Sequence, residues 1–378
     1  MSNKTKIQWC DSTVNPTMGC AGCELCPDPA RILKQLDKEA MKQSSLWKSG
    51  DAEKILLSLF EHAPEASSKM TTTNIYHARH ALCEYLNGLK EEHGVIHSDQ
   101  LLRIIERSVS CYAARLHLNK ATSIGNPYRK VNPGYAPTFE EITQYTGRMI
   151  KTARLHDLCG RIDKASPWKD GLPRMIFVSD MGDAFSRKAD FDFLKEEAMP
   201  AIKSDDGQRH LWLWLTKRPK TMARFSGEIG GFPKNVCAMT TLTCADKANL
   251  RRLDQLREVD AACKGLSIEP LRERLPSSQL DLSDIDWVIV GGESGAIRNV
   301  HPFHLEWALE LKEHCQANGV AFFMKQLGRA PHWKGQSIKL KNTHGGDWTE
   351  WPAEAGLNVR EFPPYFRSYS TTNQHNIK

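Results

Sequence analysis

The sequence predicts an α/β fold: a complete or partial (β/α) TIM-like barrel with a helical insertion, the alternative being an open doubly wound parallel sheet. Three observations predict it. Six short apolar runs, at 175–179, 211–215, 236–240, 265–268, 287–290 and 321–324, recur along the second half of the chain, and strands buried on both faces read as such near-continuous runs. Helix-like stretches at 191–203, 247–259 and 305–318 lie among them, the alternation expected of βα units. Polar residues follow every run at once, and in parallel α/β folds the carboxyl ends of the strands converge on one ligand-binding face.

In chain order, residues 1–26 read as the first strand, Lys6-Ile7-Gln8-Trp9, and a turn-rich cysteine loop broken by Asn15-Pro16 and Gly19. Residues 27–120 read as a charged helical insertion. Ile55, Leu56, Leu59 and Phe60, and again Leu101, Ile104, Ile105 and Val109, have the spacing of one helix face. Residues 121–335 carry the β/α units, opening on a Gly-, Asn- and Pro-rich loop, and 336–378 form a C-terminal extension.

The 378 residues hold 51 Lys+Arg against 45 Asp+Glu, a net charge of +6, with 40% hydrophobic and 25% charged residues. These values exclude a wholly disordered or collagen-like chain. The apolar runs fall far short of the about 20 residues of a membrane-spanning helix, so no membrane partner is expected. The start MSNKTKIQWC lacks the apolar core of a secretory signal, and a cytoplasmic location is expected. The mild positive balance fits nucleic acid without demanding it.

Eleven cysteines are many for a reducing compartment, where clustered thiols point to metal more than to disulfides. Cys20, Cys23 and Cys26 fall within seven residues, and two-residue spacing lets one turn aim successive thiolates at a common centre. Thiolates select zinc or iron–sulfur clusters; spacing alone leaves both open. Cys111, followed by Tyr112 and Ala113, is a second candidate. Cys83, Cys159, Cys237, Cys244, Cys263 and Cys315 read as small core hydrophobes.

At the strand ends stand Ser179, Asp180 and Asp183, then Thr216, Lys217 and Arg218, then Thr240, Thr241 and Thr243. Glu269, the run Gly291-Gly292-Glu293-Ser294-Gly295, and Lys325-Gln326 complete the series. The glycine run matches neither a dinucleotide fingerprint nor a P-loop.

Taken together, several stretches resemble the phage-associated three-Cys-motif family, itself similar to radical S-adenosylmethionine (radical SAM) enzymes. They are Lys6-Ile7-Gln8-Trp9, Val14-Asn15-Pro16-Thr17-Met18-Gly19-Cys20, Cys23-Glu24-Leu25 and Cys111-Tyr112-Ala113. Further matches are 176–183, Leu215-Thr216-Lys217-Arg218-Pro219, Leu266-Ser267-Ile268-Glu269-Pro270, 286–295, 323–327 and Gly345-Gly346-Asp347-Trp348. The resemblance implies Cys20, Cys23 and Cys111 as ligands of a [4Fe–4S] cluster, the motif being split by residues 27–110. Cys26, where the family pattern has an apolar residue, is the rival third ligand.

It further implies that S-adenosylmethionine chelates the open iron and is cleaved reductively to a 5′-deoxyadenosyl radical. Ser179 and Asp180 would then bind the methionine amino group and Lys217 or Arg218 its carboxylate. Glu269 or Glu293 would hold ribose hydroxyls, while Gly291 and Gly292 admit the adenosine. The substrate would be a nucleic acid or nucleotide. The competing expectation is a non-catalytic zinc or iron–sulfur protein whose helical insertion docks a protein partner.

Overall fold

A computed structural model describes residues 4–20, 111, 113, 116–117, 134–136, 142–187, 189–295, 297 and 300–369. The chain divides into two compact units, one formed by Met1–Pro16 with Gln144–Lys378, the other by Thr17–Thr143.

The first unit is built on a seven-stranded, wholly parallel sheet: β1 Ser12–Val14, β2 Arg174–Val178, β3 His210–Thr216, β4 Val236–Thr241, β5 Cys263–Ile268, β6 Trp287–Gly291 and β7 Ala321–Gln326. Spatial order follows chain order from β1 to β7, and the sheet curls into a half-barrel. The six later strands fall where the apolar runs place them: β2 begins and ends one residue earlier than its run, leaving Ser179 just outside, and the other five are longer by one or two residues at an end.

The first strand is a correction. Lys6-Ile7-Gln8-Trp9 is not a strand; pairing begins only where the Asp11 N–H reaches the Met175 carbonyl at 2.8 Å. Asp11 Oδ2 also accepts the Met175 N–H at 2.9 Å. The side chains of Ser12 and Thr13 are polar yet buried, and Ser12 Oγ accepts from Arg174 at 2.9 Å. A partner distant in sequence thus satisfies a segment whose polarity reads as loop.

Alternation along the strands sorts side chains onto two faces. Ile176, Val178, Trp212, Trp214, Leu266 and Val290 belong to the core that the helices cover. Met175, Phe177, Leu213, Met239, Ile289 and Phe323 face the other side, covered by Trp9 from the N-terminus and Phe366 from the C-terminus. Trp9 lies 4.8 Å from Phe177 and Phe366 5.5 Å from Trp287, centroid to centroid. Burying side chains of this size contributes roughly 1.5–3 kcal/mol each, so both chain ends are integral to the sheet's second core.

The helices obey local rules. Asp246 caps Lys247–Arg257 by accepting from the Ala248 and Asn249 N–H groups. Leu305–Ala317 ends before Gly319, at φ +68°, the left-handed stop that glycine tolerates. The expected helix 191–203 forms, but with a π turn at Leu194–Ala198. Pro200 lies just beyond it and cannot donate the next helical hydrogen bond. The helical periodicity predicted at 52–61 and 101–109 lies outside the described residues.

In the second unit, buried His117 places Nε2 2.8 Å from the Ala136 carbonyl, and the Ala136 N–H meets the Met18 sulfur at 3.2 Å. Burial lowers the His117 pKa against that carbonyl bond.

Candidate functional site at the carboxyl ends of the strands

The strand-end polar residues of the first unit fall into four groups. At the end of β1, buried Asn15 donates from Nδ2 to Asp180 Oδ1 at 2.6 Å and accepts the Met181 N–H at 2.9 Å. One amide therefore ties β1 to the loop after β2. Burial raises the Asp180 pKa, with the Asn15 bond opposing. Neighbouring Ser179 is 4% exposed, and its Oγ meets no hydrogen-bond partner among the described residues. An orphaned buried hydroxyl is uncommon, since nearly all such groups are paired.

Asp183 spans the next gap. Its Oδ1 accepts from Thr216 Oγ1 at 2.7 Å and the Phe185 N–H at 3.0 Å, and its Oδ2 from the Lys217 N–H at 3.3 Å. Thr216 Oγ1 in turn accepts the Arg218 N–H at 2.9 Å. The backbone that carries Lys217 and Arg218 is thus fixed by one buried carboxylate.

Glu269, after β5, forms an ion pair with Lys325 of β7. Glu293, after β6, is shared: Arg272 Nη2 donates to Oε1 at 2.9 Å, while the backbone N–H and Nδ1 of His301 lie 3.1 and 2.7 Å from Oε2. Burial alone would raise the Glu293 pKa; His301 and Arg272 outweigh it and hold the carboxyl below its ordinary value.

The glycines meet protein. A Cβ on Gly292 would collide with the Leu327 carbonyl, and one on Gly291 would come 3.2 Å from the Glu269 side chain. Their first role is the close approach of backbone to backbone.

Ser179, Asp180, Lys217, Arg218, Glu269, Gly291, Gly292 and Glu293 all therefore stand at the strand ends of one sheet. The two glutamates already hold cationic partners. The sequence reading missed Asn15, Arg272 and His301 as functional candidates. Asn15 stands inside a quoted motif, whereas Arg272 and His301 carry no local signature and are recognisable only through their bonds to Glu293.

Of the cysteine candidates, Cys20 and Cys111 are half-buried members of the second unit. Cys23 and Cys26 lie outside the described residues, so the proposed ligand set is only partly in view. Among the described residues no group of three or more His, Cys, Asp or Glu is arranged to hold a metal ion. Cys237, Cys263 and Cys315 are core thiols as expected, and Cys10 joins them. Cys159 and Cys244 are not: both are half-buried, and the Cys244 sulfur lies 2.7 Å from Asp246 Oδ2. Cys83 lies outside the described residues.

Comparison with protein families matches residues 104–352 to a family described as a protein of unknown function, DUF5131. The chain belongs to that family. The match takes in every strand from β2 to β7 and all the strand-end residues after them. No curated protein and no solved structure matches the chain. No helix among the described residues is long and apolar enough to cross a membrane.

Proposed function

We propose that this DUF5131 protein is a radical SAM-type iron–sulfur enzyme on a partial TIM-like barrel, acting in the cytoplasm on a nucleic acid or nucleotide. The single observation that carries the reading is the pair at the end of β2: a buried Ser179 hydroxyl with no partner among the described residues, beside a half-buried Asp180 carboxylate. A hydrogen-bonding cation such as a ligand's ammonium group would satisfy both, since unpaired buried polar groups are costly. Sequential winding of the seven strands and the resemblance to the phage-associated three-Cys-motif family also support it.

In this reading Cys20, Cys23 and Cys111 hold a [4Fe–4S] cluster, with Cys26 the rival third ligand. When bound, cluster and S-adenosylmethionine supply the electron transfer and radical chemistry. The protein's share is positioning. Ser179 and Asp180 would orient the amino group, Asn15 fixing Asp180 from behind, and the backbone locked by Asp183 sets where Lys217 and Arg218 begin. Glu269 and Glu293, already paired with Lys325 and with Arg272 and His301, would reach ribose hydroxyls only by sharing those bonds.

The test is anaerobic reconstitution with iron and sulfide, followed by metal analysis and an assay for 5′-deoxyadenosine under reduction with dithionite. About four irons per chain are expected, lost in C20A, C23A and C111A. Stoichiometric zinc without iron would overturn the reading in favour of the partner-docking zinc protein. Loss of cluster in C26A with retention in C111A would reassign the third ligand.

A further inference from the structure

The Glu293 group carries an inference that needs neither cluster nor sulfonium. Three facts bear on it. Glu293 is 12% exposed while the His301 side chain is 42% exposed; the carboxylate is inside and the imidazole reaches outward. The bond to Glu293 is made by Nδ1, at 2.7 Å, and Nε2 has no partner among the described residues. Arg272 grips the other carboxylate oxygen at 2.9 Å, so Glu293 is held from two sides. His210 and His314 differ: each sets Nε2 against a backbone carbonyl, at 2.8 and 2.6 Å, as a structural histidine does.

We infer that His301 is a proton-transfer group, oriented by Glu293 and Arg272, which acts on an O–H or N–H of a polar substrate at the carboxyl-end face of the sheet. A carboxylate accepting from Nδ1–H fixes the tautomer in which Nε2 carries the lone pair, and it stabilises the imidazolium that forms. In the step, the substrate X–H bond breaks and its electron pair stays on X. Nε2 takes the proton as an N–H bond forms, and the charge is balanced by Glu293. The proton is later returned to product or water. His301 is the catalytic residue of this proposal; Glu293 and Arg272 are positioning residues.

The experiment uses the full chain and p-nitrophenyl acetate, an activated ester whose hydrolysis reports a basic imidazole that can take a proton from water. H301N keeps an amide N–H where Nδ1–H stood, so the bond to Glu293 survives while Nε2 is removed. Wild type should release p-nitrophenolate faster than H301N. E293Q should lower the His301-dependent rate by about 10², the low end of what positioned proton transfer contributes.

Equal rates in wild type and H301N would overturn the proposal. Should H301N fail to fold, labelling of wild type with diethyl pyrocarbonate decides. Modification of the His301 peptide ahead of the His210 peptide supports the proposal, and an unmodified His301 refutes it. Neither measurement involves iron or S-adenosylmethionine, so failure here is separable from failure of the radical SAM reading.

Discussion

Substituting Asp183 by asparagine should unlock the end of β3. The carboxylate is 7% exposed and receives three donors, from Thr216 Oγ1, Phe185 N and Lys217 N. With Oδ1 retained, the two bonds to that oxygen lose their charge assistance, about 1 kcal/mol each, the difference between charged and neutral hydrogen bonds. The new amide nitrogen faces the Lys217 N–H donor to donor and leaves it unsatisfied, costing about another 1–2 kcal/mol. The total is about 3–4 kcal/mol. At about 2–4 °C per kcal/mol for a domain of this size, the melting temperature should fall by about 6–16 °C. T216V removes only the 2.7 Å bond and the acceptor of the Arg218 N–H, and should cost about 2 kcal/mol. Thermal and urea unfolding followed by circular dichroism reads both. A D183N protein melting within about 1 °C of wild type, or a T216V protein less stable than D183N, would refute the idea that this carboxylate is the bracket between β2 and β3.

Three further outcomes follow from the same face. In G292A the added methyl collides with the Leu327 carbonyl and lies near Phe303; overpacking of this kind costs about 1–3 kcal/mol or more, and a melt indistinguishable from wild type would show the loop can yield. In D180N the ionisation penalty disappears. Because folding raises the Asp180 pKa above the ordinary 3.8, the native state binds the proton more tightly and stability falls as pH climbs through that range. D180N should therefore be the more stable protein at neutral pH, with the gap closing below about pH 3.8; a gap that widens in acid would reverse the assignment. For Lys325 and Glu269, 16% and 18% exposed, breaking the pair with K325M or E269Q should cost about 2–3 kcal/mol, less than a fully buried pair. A double-mutant cycle should give a coupling of about 1–2 kcal/mol, and a coupling near zero would show that solvent replaces the missing partner.

How much of this was legible follows from what kind of interaction makes each element. β2 to β7 are apolar on both faces, and burial on both sides is written directly into the residue string as runs such as Trp287-Val288-Ile289-Val290. β1 was misplaced because Ser12 and Thr13 are buried polar residues whose partners arrive from 162 positions away, in the case of Ser12 and Arg174; no local pattern reports such a debt of hydrogen bonds. Trp9, read as part of a strand, is a core side chain on the inner face of the sheet. Its hydrophobicity was legible and its backbone state was not. The same split holds for the site. Strand-end position alone gathers Ser179, Asp180, Lys217, Arg218, Glu269 and Glu293 after strands of one parallel sheet. Whether each was open to a ligand depended on partners such as Lys325 and His301, eight or more residues away.

Those partners change what the face can recognise. Glu269 and Glu293 are balanced by Lys325 and by Arg272, His301 adding a hydrogen bond to Glu293, and Asp183 is consumed by three donors from its own chain. Carboxylates so engaged resist a second cation, because binding one means surrendering a partner already in place. Asp180 is different in kind: the side chains that hydrogen-bond it, Asn15 and Thr13, are uncharged, and its burial penalises the charge it carries. A cationic ligand group there would relieve that penalty and give the Ser179 hydroxyl an occupant, two gains at one place. In the proposed reading, selectivity for an ammonium-bearing ligand would therefore concentrate at the end of β2. The Glu293 end, with a carboxylate already committed and an imidazole turned outward, is suited to moving protons and poorly suited to holding charge.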